Sequence, residues 1–296
     1  MSKHFFRLRD IGHAGLWRIL HDAHSQAAPA AAHESLRGVC VPLLFAEQAP
    51  LDRLALTLSI QGMGGAEVYF GPGEWPGAAH ARTAQNFVYG LNGLLCVVNG
   101  LGLDELAALA AFDCCALANG GGPDAHPCLL LADMALMRES WPDLSKARIA
   151  WVGGANGLAH SLIEAAMYIP FELFMALPEW GEPDRDLLSL AFAAGAKIFL
   201  TRDIHMAVDE AHFVYAGSGP RHAEDDALRA GMLIDGAVMA MAGPAARLLL
   251  GQEAGCRVQD EVLAAHADLE RKRFAMRLKV QRLIWDWLLR GDDREG

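Results

Sequence analysis

Residues 146–179, KARIAWVGGANGLAHSLIEAAMYIPFELFMALPE, constrain the fold more than any other stretch of the chain. Residues 147–152 (Ala-Arg-Ile-Ala-Trp-Val) form a short apolar run suited to a buried strand. Gly153-Gly154-Ala155-Asn156-Gly157 follows, a turn in which only small side chains crowd the backbone. Apolar residues then recur at helical spacing over 158–167, and residues 171–177 (Phe-Glu-Leu-Phe-Met-Ala-Leu) read as the next strand. Strand, glycine turn, helix, strand is a right-handed βαβ unit of a parallel sheet. Ligands of such sheets lie beyond the carboxyl ends of the strands, here at Gly153 to Asn156. The spacing Gly-Gly-x-x-Gly departs from the dinucleotide fingerprint G-x-G-x-x-G. No acidic residue follows the second strand at the ribose position, although Glu179 is near. Neither a nicotinamide nor any other cofactor is expected.

Composition sets the outer limits. A length of 296 residues suggests about two domains. A hydrophobic content of 53% is ample for buried cores, and 21% charged residues is slightly low. The net charge of −11 argues against nucleic acid, because no basic stripe is present to release counterions. Residues 1–10 lack the apolar core of a signal peptide, and no apolar run reaches the roughly 18 residues of a membrane span. Six cysteines without a secretion signal suit reduced thiols and a cytoplasmic protein. Cys114 and Cys115 are adjacent without CxxC partners, so no zinc or other metal site is expected.

The remaining pattern alternates strand and helix. A helix is expected over 10–27 and a small-residue loop over 28–33. Strands are expected at 38–45, 66–70, 93–98 and 114–118, and helices at 51–63, 82–91, 103–111 and 127–139. The fourth strand opens into Asn119-Gly120-Gly121-Gly122-Pro123-Asp124-Ala125. Beyond residue 179, helices are expected at 186–194, 205–210 and 258–289, and strands at 197–200, 213–215 and 237–241. The fold class is therefore α/β: two doubly wound parallel-sheet domains with an interdomain cleft, closed by a C-terminal helix. The domains fall at 1–140 and 146–265, with the helix at about 266–290 packing back on the first.

This order, and several local stretches, resemble the ornithine and aspartate carbamoyltransferases, most closely the ornithine type. Lys3-His4-Phe5-Phe6-Arg7-Leu8-Arg9-Asp10 is similar to that family's opening, and residues 45–65 to its phosphate-loop helix. His126-Pro127-Cys128 resembles its His-Pro-Cys-Gln motif. The stretch from Trp151 to Ser161 resembles its Gly-Asp-Gly-Asn-Asn-x-x-x-Ser segment. The resemblance implies a transcarbamylase fold in which domain one binds carbamoyl phosphate and domain two an amino acid. It also implies a trimer with shared sites.

Position by position, the site departs from that pattern. The family's phosphate grip is Ser-Thr-Arg-Thr-Arg at a helix start, where backbone N–H groups, hydroxyls and guanidinium meet a dianion. Here the residues are Ala49-Pro50-Leu51-Asp52-Arg53. All three hydroxyls and the first arginine are absent, and Pro50 has no N–H to donate. Asp52 places a negative charge where phosphate would sit. Each charge-assisted hydrogen bond lost costs about 1.5–3 kcal/mol, and at least three are lost. Arg53 survives as a phosphate ligand or as an ion-pair partner of Asp52 or Glu47. The family arginine after the third strand aligns with Asn99, and the glutamine after His126-Pro127-Cys128 with Leu129.

His126 is either the group that polarises the carbamoyl oxygen or a locally bonded helix-start histidine. Cys128 is a small buried residue or a direct participant. Asn156 survives from the amino-acid loop, and His160 reads as structural. The family's Asp-x-x-x-Ser-Met-Gly segment is shortened to Ala216-Gly217-Ser218-Gly219-Pro220. Its late His-Cys-Leu-Pro motif reads Met241-Ala242-Gly243-Pro244, with Arg247 either the arginine three residues beyond or a surface residue.

The candidate catalytic set is thus His126, Arg53 and Arg247. The candidate binding set is Asp52, Asn99, Cys128, Asn156, Ser218 and Met241. Departures concentrate in the site while glycine turns and strands are kept. The expected protein is a non-catalytic relative that binds a small amino-acid-like ligand or an active paralogue, as a homotrimer or mixed oligomer. Two alternatives stand beside it. One is altered chemistry in the same cleft. The other is a true carbamoyltransferase whose phosphate ligands come from elsewhere, such as His80 or Arg82 of a neighbouring subunit.

Overall fold

A computed structural model of the chain describes residues 3–25, 34–77, 94–219, 232–251 and 258–290. The helix expected over 82–91, the loop 28–33, His80 and Arg82 lie outside these residues. The chain divides into two compact units, Met1–Ala135 with Phe274–Gly296, and Leu136–Arg273.

The first unit is built on a five-stranded parallel sheet in the order β1-β5-β4-β2-β3. Its strands are His4–Phe5 (β1), Cys40–Phe45 (β2), Ala66–Phe70 (β3), Leu95–Asn99 (β4) and Ala116–Gly121 (β5). β4 and β5 are buried along their whole length and β2 everywhere but Cys40, as strands covered on both faces must be. That is why they read as continuous apolar runs. The two-residue β1 pairs with Leu117 and Ala118 and was too short to carry a sequence pattern. β5 corrects one boundary: the strand expected to end at Ala118 runs on through Asn119, Gly120 and Gly121. A register shift at Val98/Asn99 lets Gly121 pair with Asn99.

In the second unit the order is β10-β9-β6-β7-β8, again all parallel. The strands are Arg148–Val152 (β6), Glu172–Ala176 (β7), Lys197–Thr201 (β8), Phe213–Ala216 (β9) and Arg247–Leu250 (β10). Here the expected strand at 237–241 is overturned. That stretch lies inside the helix Gly236–Ala242, which Asp235 caps by accepting a hydrogen bond from Val238 N at 2.8 Å. Val238 and Ala242, one turn apart, face the core. A five-residue apolar run fits a strand or a buried helix equally well, and the preceding Asp-Gly start signal decides between them. The fifth strand of this half is instead β10, beginning at Arg247.

Each sheet reverses its winding once. In the first unit this happens between β2 and β4, and in the second between β6 and β9. The chain segments leaving these neighbouring strands diverge, opening a crevice at their carboxyl ends where ligands of such sheets bind.

The helix Asp260–Arg290 spans 31 residues. Within the first unit it buries Met276, Val280, Ile284 and Leu288 at four-residue spacing. Beside them runs a second stripe, Arg277, Gln281 and Trp285, also buried. Trp285 Nε1 donates to Ser59 Oγ at 3.0 Å, tying this helix to the helix Pro50–Gln61.

Candidate functional site

At the switch point of the first unit, β2 ends at Phe45 and feeds the helix Pro50–Gln61. Asp52 lies in the first turn of that helix, where a negative charge is favoured by the helix dipole. Its neighbour Asn99 ends β4. Both side chains are buried, and Asn99 Nδ2 donates to Asp52 Oδ2 at 3.2 Å. The other carboxylate oxygen, Oδ1, accepts from Arg277 of the C-terminal helix at 2.5 Å. His126 Nε2 stands 3.7 Å from Asp52 Oδ2.

His126 reaches this position because Gly121 has no side chain. A Cβ there would lie 2.5 Å from His126 Nε2, and Gly121 adopts φ +140°, which disfavours any other residue. Asn119 shapes the intervening loop. Its amide nitrogen donates to Phe6 O and Ala125 O, and its amide oxygen accepts from Gly121 N.

The electrostatics follow from burial and charge together. Burial alone would raise the Asp52 pKa, but the Arg277 charge and the contact with His126 outweigh it and hold the carboxyl well below the usual carboxylate range. For His126, burial outweighs the pull of Asp52 and lowers the imidazole pKa, which keeps it neutral near pH 7. The cluster thus holds one anion, one cation and two neutral polar groups. Cys128 is fully buried beneath it, bonds Asn119 O at 3.4 Å, and has its thiol pushed by burial up to about 12. Arg53 points away from these groups: it is exposed and its guanidinium stacks 3.6 Å from the Tyr69 ring centroid.

The switch point of the second unit gathers Gly153, Gly154, Asn156 and Ser218. Asn156 caps the helix Gly157–Ala165, accepting from Leu158 N and Ala159 N, and donates to Ser218 Oγ at 2.8 Å. Gly153 runs at φ +115° with Ser218 O 2.9 Å from where its Cβ would be. Trp180 packs against Gly154, where an added Cβ would lie 2.5 Å from the indole Cζ3. A side chain at position 154, such as the aspartate of the resembled motif, has no room while Trp180 stays. Trp151 Nε1 donates to both Gly153 O and Gly154 O at 3.2 Å.

The structure therefore brings Asp52, Asn99, His126 and Cys128 together in one unit, and Asn156 with Ser218 in the other. It does not bring Arg53, Arg247 or Met241 into either group. Arg247 is exposed at the amino end of β10, across the sheet from the ligand-bearing carboxyl ends. Met241 is exposed on its helix, with Sδ 3.0 Å from His205 Nδ1. The carboxyl end of β10 is Leu250, followed by Gly251. The residue that sequence reasoning missed is Arg277. Its signal was the polar stripe at four-residue spacing on a long, otherwise apolar helix face. Among the described residues, no group of three or more His, Cys, Asp or Glu is placed to hold a metal ion, and no helix is long and apolar enough to cross a membrane.

Two five-stranded parallel sheets, each with one switch point, and a long terminal helix define a protein of the transcarbamylase fold. The chain superimposes on the crystal structure of ornithine carbamoyltransferase from Thermus thermophilus with a TM-score of 0.84 at 23% identity, covering 98% of this chain and 100% of that one. For the ornithine carbamoyltransferase from Pyrococcus furiosus the TM-score is 0.86 at 20% identity, covering 98% of each chain. No protein-family model matches the sequence. Full-length relatives do. The ornithine carbamoyltransferase of Nitratidesulfovibrio vulgaris is 37% identical over 97% of this chain and 99% of its own length. That of Oleidesulfovibrio alaskensis is 34% identical over 98% and 100%. The chain belongs to the ornithine carbamoyltransferase family.

Proposed function

We propose that this family member does not carry out carbamoyl transfer at its switch-point site and acts as a non-catalytic relative, binding a small amino-acid-like ligand or an active paralogue. The observation that carries this reading is the Asp52–Arg277 ion pair at the start of the helix Pro50–Gln61. Where a phosphate would need N–H groups, hydroxyls and guanidinium, the protein supplies a proline, no hydroxyl and its own carboxylate. A unit charge 4 Å from another costs about 4 kcal/mol at an effective dielectric of 20, and each 1.4 kcal/mol is about a tenfold loss of affinity. Supporting features are the neutral, buried state of His126, the turning of Arg53 onto Tyr69, and the filling of the space above Gly154 by Trp180. A homotrimer or a mixed oligomer with a complete transferase is the assembly this reading proposes.

The second reading is a working carbamoyltransferase, favoured by 37% identity over 97% of the chain to a protein named ornithine carbamoyltransferase. Calorimetric titration with carbamoyl phosphate, with and without ornithine, separates the two. The first reading expects no saturable heat. Binding tighter than about 1 mM, with citrulline formed in a coupled assay, would overturn it.

A further inference from the structure

We infer that Arg277, Asn99 and His126 form a closed socket for a carboxylate, and that Asp52 is its tethered, permanent occupant. The inference rests on the non-catalytic reading of the same site and adds what keeps the site filled.

Two donors from elements far apart in the chain meet the two oxygens of one carboxylate. Arg277, from the C-terminal helix, takes Oδ1, and Asn99, from the end of β4, takes Oδ2. His126 closes the third side, admitted by the bare backbone of Gly121. All four side chains are at least 94% buried, so these contacts form away from water and order a defined shape. The charge count selects the ligand class. Arg277 brings one positive charge, and the asparagine amide and the imidazole bring none, so a monoanion balances the socket. A dianion such as phosphate is left one charge in excess, and a carboxylate fits without it. The first turn of the helix Pro50–Gln61 adds partial positive charge to the same place. Because the occupant is covalently attached, its effective concentration is millimolar or higher, and free carboxylates in solution do not displace it.

Cutting the tether exposes the socket. In Asp52→Ala the full chain should gain a thermal midpoint that rises with added formate or acetate, while the unaltered protein stays flat against chloride of equal ionic strength. Asp52→Asn, which keeps the space filled, should not respond, and Asp52→Ala with Arg277→Met should lose the response. A folded Asp52→Ala protein indifferent to formate and acetate overturns the socket while leaving the non-catalytic reading in place. An equal or larger response to inorganic phosphate overturns the monoanion assignment. Carbamoyl phosphate binding by the unaltered protein overturns the non-catalytic reading itself. If Asp52→Ala does not fold, expression in formate decides: soluble protein with formate but not with chloride supports the socket. No recovery in either salt counts against it.

Discussion

Replacing Arg277 by methionine tests the electrostatic core of the site. Methionine keeps most of the aliphatic volume and removes the charge, leaving Asp52 at 3% exposure without its cation. Removing one partner of a buried pair costs about 3–5 kcal/mol. In a unit of this size each kcal/mol moves the midpoint by about 2–4 °C, so its transition should fall by roughly 6–20 °C. The pH dependence adds a sign. In the unaltered protein burial is outweighed by the Arg277 charge and the folded Asp52 pKa is depressed. Its contribution is complete above the unfolded pKa near 4 and is lost as pH falls toward the depressed value. In the variant, burial prevails and the folded pKa is raised. The carboxyl then favours folding below pH about 4 and opposes it as pH rises through the raised value. The gap between the two proteins is therefore widest at neutral pH and narrows toward about pH 4. Scanning calorimetry across that range measures it. Equal midpoints at neutral pH, or a gap that does not narrow in acid, would refute the reasoning. Asp52→Leu with Arg277→Met, which removes both charges, should recover most of the loss.

Three further outcomes follow from the same contacts. His126 is held neutral by burial with its pKa lowered, so its contribution to stability is complete above about pH 6.5 and declines as pH falls below it; His126→Asn should flatten that slope in acid denaturation curves. Asn156→Ala removes a helix cap and the bond to Ser218 and should destabilise the second unit by about 1–3 kcal/mol, visible as faster amide exchange at Leu158 and Ala159, whereas Asn156→Asp should retain the cap. Cys128, fully buried with its thiol raised to about 12, should resist maleimide in the native protein and react on unfolding; rapid native labelling at Cys128 would contradict the packing.

Most of the fold was legible because parallel strands buried on both faces must be apolar throughout, and because Gly153, Gly154 and Asn156 mark a turn that only small or capping residues satisfy. The helix at 236–242 and the strand at 247–250 were not. Their runs are too short for periodicity to separate helix from strand, and the strand opens on an exposed arginine. Met241 and Arg247 lie on these two elements, and the structure places neither beside Asp52 or Asn156. Residue identities at 49–53 could show which side chains stand there. They could not show what Asp52 contacts.

By itself the sequence determined the α/β class, the parallel sheets and the absence of hydroxyl and guanidinium side chains at residues 49–52, since these depend on local pattern and on which side chains are present. Only the tertiary structure decided the fate of Asp52. Its partner Arg277 lies 225 residues away, and no local rule links them. The register of the C-terminal helix against the helix Pro50–Gln61, fixed by the packing of Val280, Ile284 and Trp285, carries that guanidinium to the switch point. A charge that read as a repulsive intruder is, once buried beside Arg277, part of what the fold is built around.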